Sequence, residues 1–174
     1  MSPANIFQIH LVLGYVPWLL CFAAYVLPRL DTIDRVAALR AIATLHSFRF
    51  FGLVFILPGI VGADLPTRFA VFAAYGDFAT GILAMLALLT VRMKVLFWFF
   101  VVAFNVVGTA DILIDYYQGN ETGLAPLAGQ LGAAYAIPII YVPLLMITHA
   151  VAFYLLARPA PKQAAARTSD AAAF

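Results

Sequence analysis

Five long apolar segments, separated by short polar connections, make up most of the sequence. Their approximate ranges are 6–27, 41–61, 69–91, 95–116 and 132–157. About 20 helical residues, each rising ~1.5 Å, cross the ~30 Å hydrocarbon core of a bilayer, so every segment is long enough to span it. Only 10% of the residues are charged, whereas soluble domains carry about 25%. The sequence therefore predicts an all-α integral membrane protein, a five-transmembrane-helix bundle that forms a single domain over residues 1–157.

The ends of the second and fifth spans depend on the connections before them. The polar stretch 29–40 is predicted to form either an interfacial helix or an extension of the second span. The uncharged stretch 123–157 is too long for one straight span, so we expect the fifth helix to begin near Gly132. Residues 158–174, rich in Ala and Pro, are predicted to form a disordered cytoplasmic tail.

Basic residues concentrate on one side of the predicted bundle. With five spans, the 29–40 connection, the 92–94 turn and the tail share a side, which carries Arg29, Arg35, Arg40, Arg92, Lys94, Arg158, Lys162 and Arg167. The other side offers only Arg68 among basic residues, with Asp64 and Glu121. Because basic loops stay in the cytoplasm, the pattern predicts a multi-pass protein of a bacterial-type inner membrane, with its N-terminus out and its C-terminus in.

Several polar residues fall within the spans, where charged groups are costly unless they are paired. They are His10, His46, Arg49, Asp77, Asn105, Asp111 and His149. Arg49 and Asp77 lie on adjacent antiparallel spans and differ in height by roughly one helical turn, so we predict an ion pair between them. Such a pair either locks two helices together or handles a ligand or protons, and the sequence leaves both possibilities open.

A second group of polar residues lies nearer the outer side. Asp111 and Asp115 share one face of the fourth span, in line with Gly108, where a neighbouring helix can approach closely. Together with His10, they have suitable positions for an outward-facing, water-accessible pocket. Asp115 precedes two tyrosines and is also typical of the interfacial end of a span, and His10 is typical of a histidine at headgroup level.

The leading functional hypothesis is that a polar pocket within the membrane binds or passes a small or lipid-soluble ligand, or protons. Ionisable residues within spans commonly mark such paths. A net charge of +2 gives no indication of nucleic-acid binding, so the expected partners are the lipid bilayer and that ligand. The sequence contains no glycine-rich phosphate loop and no HExxH metal motif.

A b-type haem is the first alternative. His46 and His149 lie on different spans at similar predicted depth, which suits two axial ligands, with Arg49 near a propionate. Three features of the first span, His10, Trp18 and the run from Tyr25 to Leu30, are similar in residue order to the first helix of the small HemJ-type protoporphyrinogen oxidases and CopD-like membrane proteins. That similarity covers one helix of five and does not assign the chain to a family.

Two further alternatives stay open. One is a cofactor-free membrane enzyme that acts on a hydrophobic substrate, with Asp77, Asp111 and His10 as acid and base. The other is a structural protein, either an accessory subunit of a membrane complex or a homo-oligomer. Whether the chain is an enzyme is not decided by its sequence.

Overall fold

The computed structural model describes residues 1–158, and it is helical throughout, with no β-strand in that range. Five helices are long and apolar enough to cross a membrane: Pro3–Arg29, Arg35–Ile56, Thr67–Leu89, Lys94–Glu121 and Ile137–Ala157. The predicted all-α fold, with five helices long and apolar enough to cross a membrane, is therefore confirmed. Which way the helices cross the membrane stays a prediction, and the predicted tail lies outside the described residues from residue 159 onward.

The regular helices are α1 (Pro3–Cys21), α2 (Arg35–Ser47), α3 (Thr67–Leu89), α4 (Lys94–Glu121) and α5 (Val142–Ala157). Irregular helix extends three of them. A π turn over Phe22–Val26 and a 3-10 turn over Leu27–Arg29 follow α1, and a 3-10 helix over Phe48–Ile56 follows α2. A 3-10 segment over Ala125–Tyr135 and a π turn over Ile137–Tyr141 precede α5.

The second span begins earlier than the sequence pattern places it. Asp34 caps α2 by accepting a hydrogen bond of 2.6 Å from the backbone N–H of Ala37. The helix then runs from Arg35, so the polar stretch before residue 41 is an extension of the span. Arg35 Nη2 in turn donates to the carbonyl of Leu156 (2.7 Å) and helps to complete the last turn of α5.

The fifth span begins later than the sequence pattern places it. Gly132 has a positive φ of 53°, which interrupts the helix and which a residue without a Cβ adopts at little cost. Just after this break, the backbone N–H of Ala133 donates to the carbonyl of Ile60 at 3.3 Å. The segment before Ile137 is thereby tied to the connection between the second and third spans, and it adds 3-10 helix to the bundle without extending the span.

Helix α3 packs against α4 and both parts of the second span. Its buried face carries mainly small residues, Ala70, Ala73, Ala74, Gly81, Ala84 and Ala87. Small residues let helix backbones approach closely in a membrane. By contrast, α1 lies at the periphery, where it contacts the Ala125–Tyr135 segment and α5, and Phe7 is its single buried residue.

Two apolar clusters fill the interior, one near each end of the bundle. The cluster at the N-terminal end, where α1 begins, includes Phe7, Phe55, Phe69, Leu131 and Ile137. The cluster at the opposite, C-terminal end, where α5 finishes, includes Leu39, Phe97, Val101, Phe104 and Leu155. Between these clusters lies a layer of buried polar side chains.

Candidate functional site

Arg49 is the centre of the buried polar layer and is only 1% exposed. Its Nε donates to Asp77 Oδ1 of α3 at 2.6 Å, and its Nη2 donates to Asp111 Oδ2 of α4. Charge-assisted hydrogen bonds of this kind are the strong ones in proteins. The structure thus contains the predicted Arg49–Asp77 pair and adds a second carboxylate, so that one guanidinium joins three helices.

The third nitrogen of Arg49 connects the ion pairs to α5. Nη1 donates to the Gly108 carbonyl at 3.2 Å and lies 3.3 Å from Nε2 of His149. On the other side of that ring, Nδ1 lies 2.8 Å from Oδ1 of Asn105. With Asn105 as acceptor, the imidazole carries its hydrogen on Nδ1 and leaves Nε2 free to accept from Arg49. We call Arg49, Asp77, Asn105, Asp111 and His149 the Arg49 network.

Glycines make the space that this network occupies. A Cβ atom added at Gly52, Gly76 or Gly108 would overlap with Asp77, Asp111 or Arg49, respectively. The sequence singles out Gly108 as a point of close approach for a neighbouring helix. In the structure, the group that approaches it is the Arg49 side chain, which points into the space that a larger residue would fill.

His46 packs beside the network. Its ring centroid lies 4.1 Å from that of His149, and its Nε2 lies 3.0 Å from the Thr148 hydroxyl. Six of the predicted site residues therefore come together. His10 does not join them, because α1 is peripheral: the His10 side chain is exposed and its Nδ1 pairs with the Tyr135 hydroxyl at 2.9 Å. The acid–base set of Asp77, Asp111 and His10 is not assembled.

The same packing bears on haem. The axial ligands of a bis-histidine haem bind iron from opposite faces, so the porphyrin has to lie between the two rings. Here the rings of His46 and His149 pack directly against each other, and Phe104 packs against His46 with its centroid 5.4 Å away. Both nitrogens of His149 already have partners. The two rings, packed as they are here, leave no gap for a porphyrin between them. Haem ligation by His46 and His149 stays a prediction.

A cavity of about 240 Å³ lies between the Arg49 network and the N-terminal end of the bundle. Its walls are mostly apolar and come from α1, α3, α4 and the irregular segments, and they include Phe7, Leu11, Phe55, Phe69, Ile112, Tyr116, Leu124 and Ile137. Two carboxyl groups, those of Asp77 and Asp115, also line it. Asp77 therefore faces the cavity while it is bound to Arg49.

Polar groups on one face of α4 lack partners here. Asp111 Oδ1, Asp115 Oδ1 and Gln118 Oε1 are buried and find no hydrogen-bond donor within residues 1–158. These residues lie at positions i, i+4 and i+7, so they share a helix face. Nearly all buried polar groups in proteins have a partner. Since Asp115 also lines the cavity, its carboxyl group is suited to a donor that a ligand brings.

The chain belongs to the family described as Domain of unknown function (DUF8737). The match covers residues 6–157, and hence all five helices and every residue of the Arg49 network. No curated protein and no solved structure matches the chain.

The sequence left two interpretations of Asp115 open, the interfacial end of a span and a pocket shared with Asp111 and His10. In the structure, α4 continues to Glu121 and Asp115 lines the cavity, while His10 lies apart. The sequence contained one indication of this longer helix: Asp111, Asp115 and Gln118 lie on one helix face, and that polar face continues past residue 116, where the fourth span was predicted to end. The glycines on three successive spans were a second signal of close packing around a large buried side chain.

Proposed function

We propose that this protein binds a small, lipid-soluble molecule in the cavity, through a head group that donates hydrogen bonds, best as a protonated amine. The observation that carries the proposal is Asp115, which lines a mostly apolar cavity and whose carboxyl group has one oxygen without a donor in the described residues. Ligand sites typically combine apolar walls with a few polar groups that fix orientation.

Charge favours a cation over a neutral donor. Three carboxyl groups, those of Asp77, Asp111 and Asp115, lie in or next to the cavity. Within residues 1–158, Arg49 is the one basic side chain that forms salt bridges with them, and it binds Asp77 and Asp111 but not Asp115. No lysine or arginine of residues 1–158 lines the cavity itself. A cationic head group beside Asp115 supplies the charge that the protein lacks at a depth where unpaired charges are costly.

The cavity volume limits the ligand. Pockets for drug-sized molecules have volumes of about 300–1,000 Å³, and the cavity, at about 240 Å³, is smaller. A compact apolar body with one polar group is therefore favoured over a bulky cofactor or a whole phospholipid.

We further propose that the N-terminal end of the bundle, and with it the cavity, faces the outside of a bacterial inner membrane. Arg29, Arg35, Arg40, Arg92, Lys94 and Arg158 all belong to the opposite end. The positive-inside rule supports a cytoplasmic location for that end. Cysteine accessibility scanning in intact cells, with reporter cysteines at residues 63 and 92, tests this orientation.

A set of three probes with one apolar cage tests the proposed ligand chemistry. We would titrate 1-adamantanamine, 1-adamantanol and 1-adamantanecarboxylate into the protein in lipid nanodiscs and measure equilibrium binding by calorimetry. We expect the amine to bind most tightly, the alcohol more weakly and the carboxylate least, because Asp77 and Asp115 repel an anion. Asp115→Asn should reduce the preference for the amine over the alcohol by about tenfold, the effect of roughly 1.4 kcal/mol.

Two results would overturn this proposal. One is binding of the carboxylate as tight as that of the amine, which would show that the cavity does not select for donors. The other is the absence of binding for all three cages. Asn120→Ala, at a polar residue on the cavity wall that carries no charge, is the matched control and should keep the preference for the amine.

A further inference from the structure

A second hollow lies on the outer surface of the bundle, beside the cavity. This groove of about 420 Å³ runs between the 3-10 helix after α2 and the π turn before α5. Its walls include Phe48, Phe51, Ile140 and Tyr141, of which the first three are more than half exposed. The hydroxyl of Tyr141 donates to the Leu45 carbonyl at 3.0 Å, so this polar group already has a partner. The groove therefore suits an apolar occupant.

The depth of the groove identifies that occupant. Leu45 and Phe51 lie in the middle of the second span, Arg35–Ile56. A surface at this depth faces the hydrocarbon core and not water. The molecules that reach it are lipid chains and other molecules dissolved in the bilayer.

Ile137 connects the groove to the cavity. Its side chain lines both spaces and is only 5% exposed. The groove and the cavity therefore lie on either side of one buried, uncharged side chain. A change in the rotamer of Ile137 moves the part of the wall that the two spaces share, without breaking a side-chain hydrogen bond.

The backbone beside Ile137 is irregular. Ile137 begins the π turn Ile137–Tyr141, and the next residue, Pro138, has no backbone N–H to donate. Single π turns within helices often occur at functional sites. Hydrogen bonds from Trp18 Nε1 to the Ile140 carbonyl (2.8 Å) and from the Tyr141 hydroxyl to the Leu45 carbonyl tie the later part of this turn to its neighbours, whereas the Ile137 side chain itself is held by apolar packing alone.

We infer that the ligand enters the cavity sideways from the bilayer, through the groove and past Ile137. This inference rests on the proposed function, since it concerns the ligand of the same cavity. It restricts that ligand to molecules that partition into the hydrocarbon core. The competing route is the polar rim at the N-terminal end, where the exposed residues Gln8 and Asn120 line the cavity.

Rates distinguish these two routes. We would measure the uptake and release of tritiated 1-adamantanamine by the nanodisc-embedded protein, using rapid filtration. Ile137→Ala and Leu124→Ala both shorten a buried apolar side chain of the cavity wall, but only Ile137 also borders the groove. We expect Ile137→Ala to raise both rate constants by about tenfold, as a barrier lowered by roughly 1.4 kcal/mol gives, with little change in Kd. Leu124→Ala should raise both rate constants less than Ile137→Ala does, because Leu124 does not border the groove.

The outcomes separate the route from the function. If Leu124→Ala accelerates uptake and Ile137→Ala does not, the ligand enters at the polar rim and the lateral route is wrong. Equal rates in wild type and both variants would also overturn the lateral route, while equilibrium binding would still support the proposed function. If wild type does not bind the amine at equilibrium, the proposed function itself fails, and the route with it.

Discussion

The two halves of the bundle differ in how they satisfy their polar groups. Toward the C-terminal end, α2, α4 and α5 are regular α-helices, although the first span ends there in the π turn Phe22–Val26 and the 3-10 turn Leu27–Arg29. Arginine side chains complete the backbone at this end: Arg35 donates to the Leu156 carbonyl, and Arg158 donates to that of Leu30 at 2.9 Å. Toward the N-terminal end, 3-10 and π segments form part of the wall of a cavity, and Asp115 has an oxygen that finds no donor within residues 1–158.

In our proposal, the C-terminal half stabilises the fold and the N-terminal half binds the ligand. Arginines that complete the backbone at the C-terminal end favour a rigid half, whereas the irregular segments on the cavity wall lie beside empty space and a carboxyl oxygen without a donor in the described residues. The Arg49 network lies at the boundary, where Asp77 belongs to both halves because it binds Arg49 and lines the cavity. The rigid half thereby fixes the position of a carboxylate that the other half presents to a ligand.

Removing the charge at the boundary should have the largest effect on stability. Arg49→Met keeps a long side chain but leaves Asp77 and Asp111 without their cation. Loss of one partner from a buried ion pair costs about 3–5 kcal/mol. We expect the free energy of unfolding, measured by SDS titration, to fall by that amount. Arg40→Met, which changes an exposed arginine of α2, is the control. Similar unfolding free energies for the two variants would mean that the network does not hold the halves together.

Two aspartates test this comparison, because Asp77 both binds Arg49 and lines the cavity, whereas Asp115 lines the cavity without binding Arg49. Asp77→Ala removes the 2.6 Å hydrogen bond from Arg49 Nε, and hydrogen bonds to charged groups are worth about 1.5–3 kcal/mol. Asp115 has an unpartnered oxygen, so Asp115→Ala should leave the unfolding free energy within about 0.5 kcal/mol of wild type. The yield of folded protein should follow the same order. If both variants purify with equal yield and melting temperature, the ion pair does not support the fold.

The features that follow from length and height were predictable from the sequence. Five helices follow from five apolar runs, and the Arg49–Asp77 pair follows from two antiparallel spans whose residues differ by one turn. The rotation of each helix about its axis was not predictable, because packing against neighbours sets it. For that reason the sequence did not pair Arg49 with Asp111, and it did not show that His10 lies outside the polar layer.

The cavity was beyond the sequence for a different reason. It exists because the segment Ala125–Tyr135 and the turn Ile137–Tyr141 depart from α-helical geometry. Contacts between distant residues hold that geometry, such as the 2.7 Å hydrogen bond from the Gly62 N–H to the Gln130 carbonyl. The conformational propensity of a short segment does not depend on such distant contacts and therefore does not predict them. A sequence pattern can therefore indicate the depth of polar residues in the bundle, but it does not indicate the cavity beside them.

A smaller loss of unfolding free energy should follow when a side chain fills the space beside a glycine at the boundary between the halves. Gly76→Ala adds a Cβ that overlaps with Asp111, which cannot move aside while Arg49 holds it. Overpacking of this kind costs about 1–3 kcal/mol. Gly129→Ala, in the irregular half, places its Cβ in open space and should change the unfolding free energy by less than about 0.5 kcal/mol. If Gly76→Ala has the same unfolding free energy as wild type, then Asp111 has room to shift, and the Arg49 network is less rigid than its hydrogen bonds indicate.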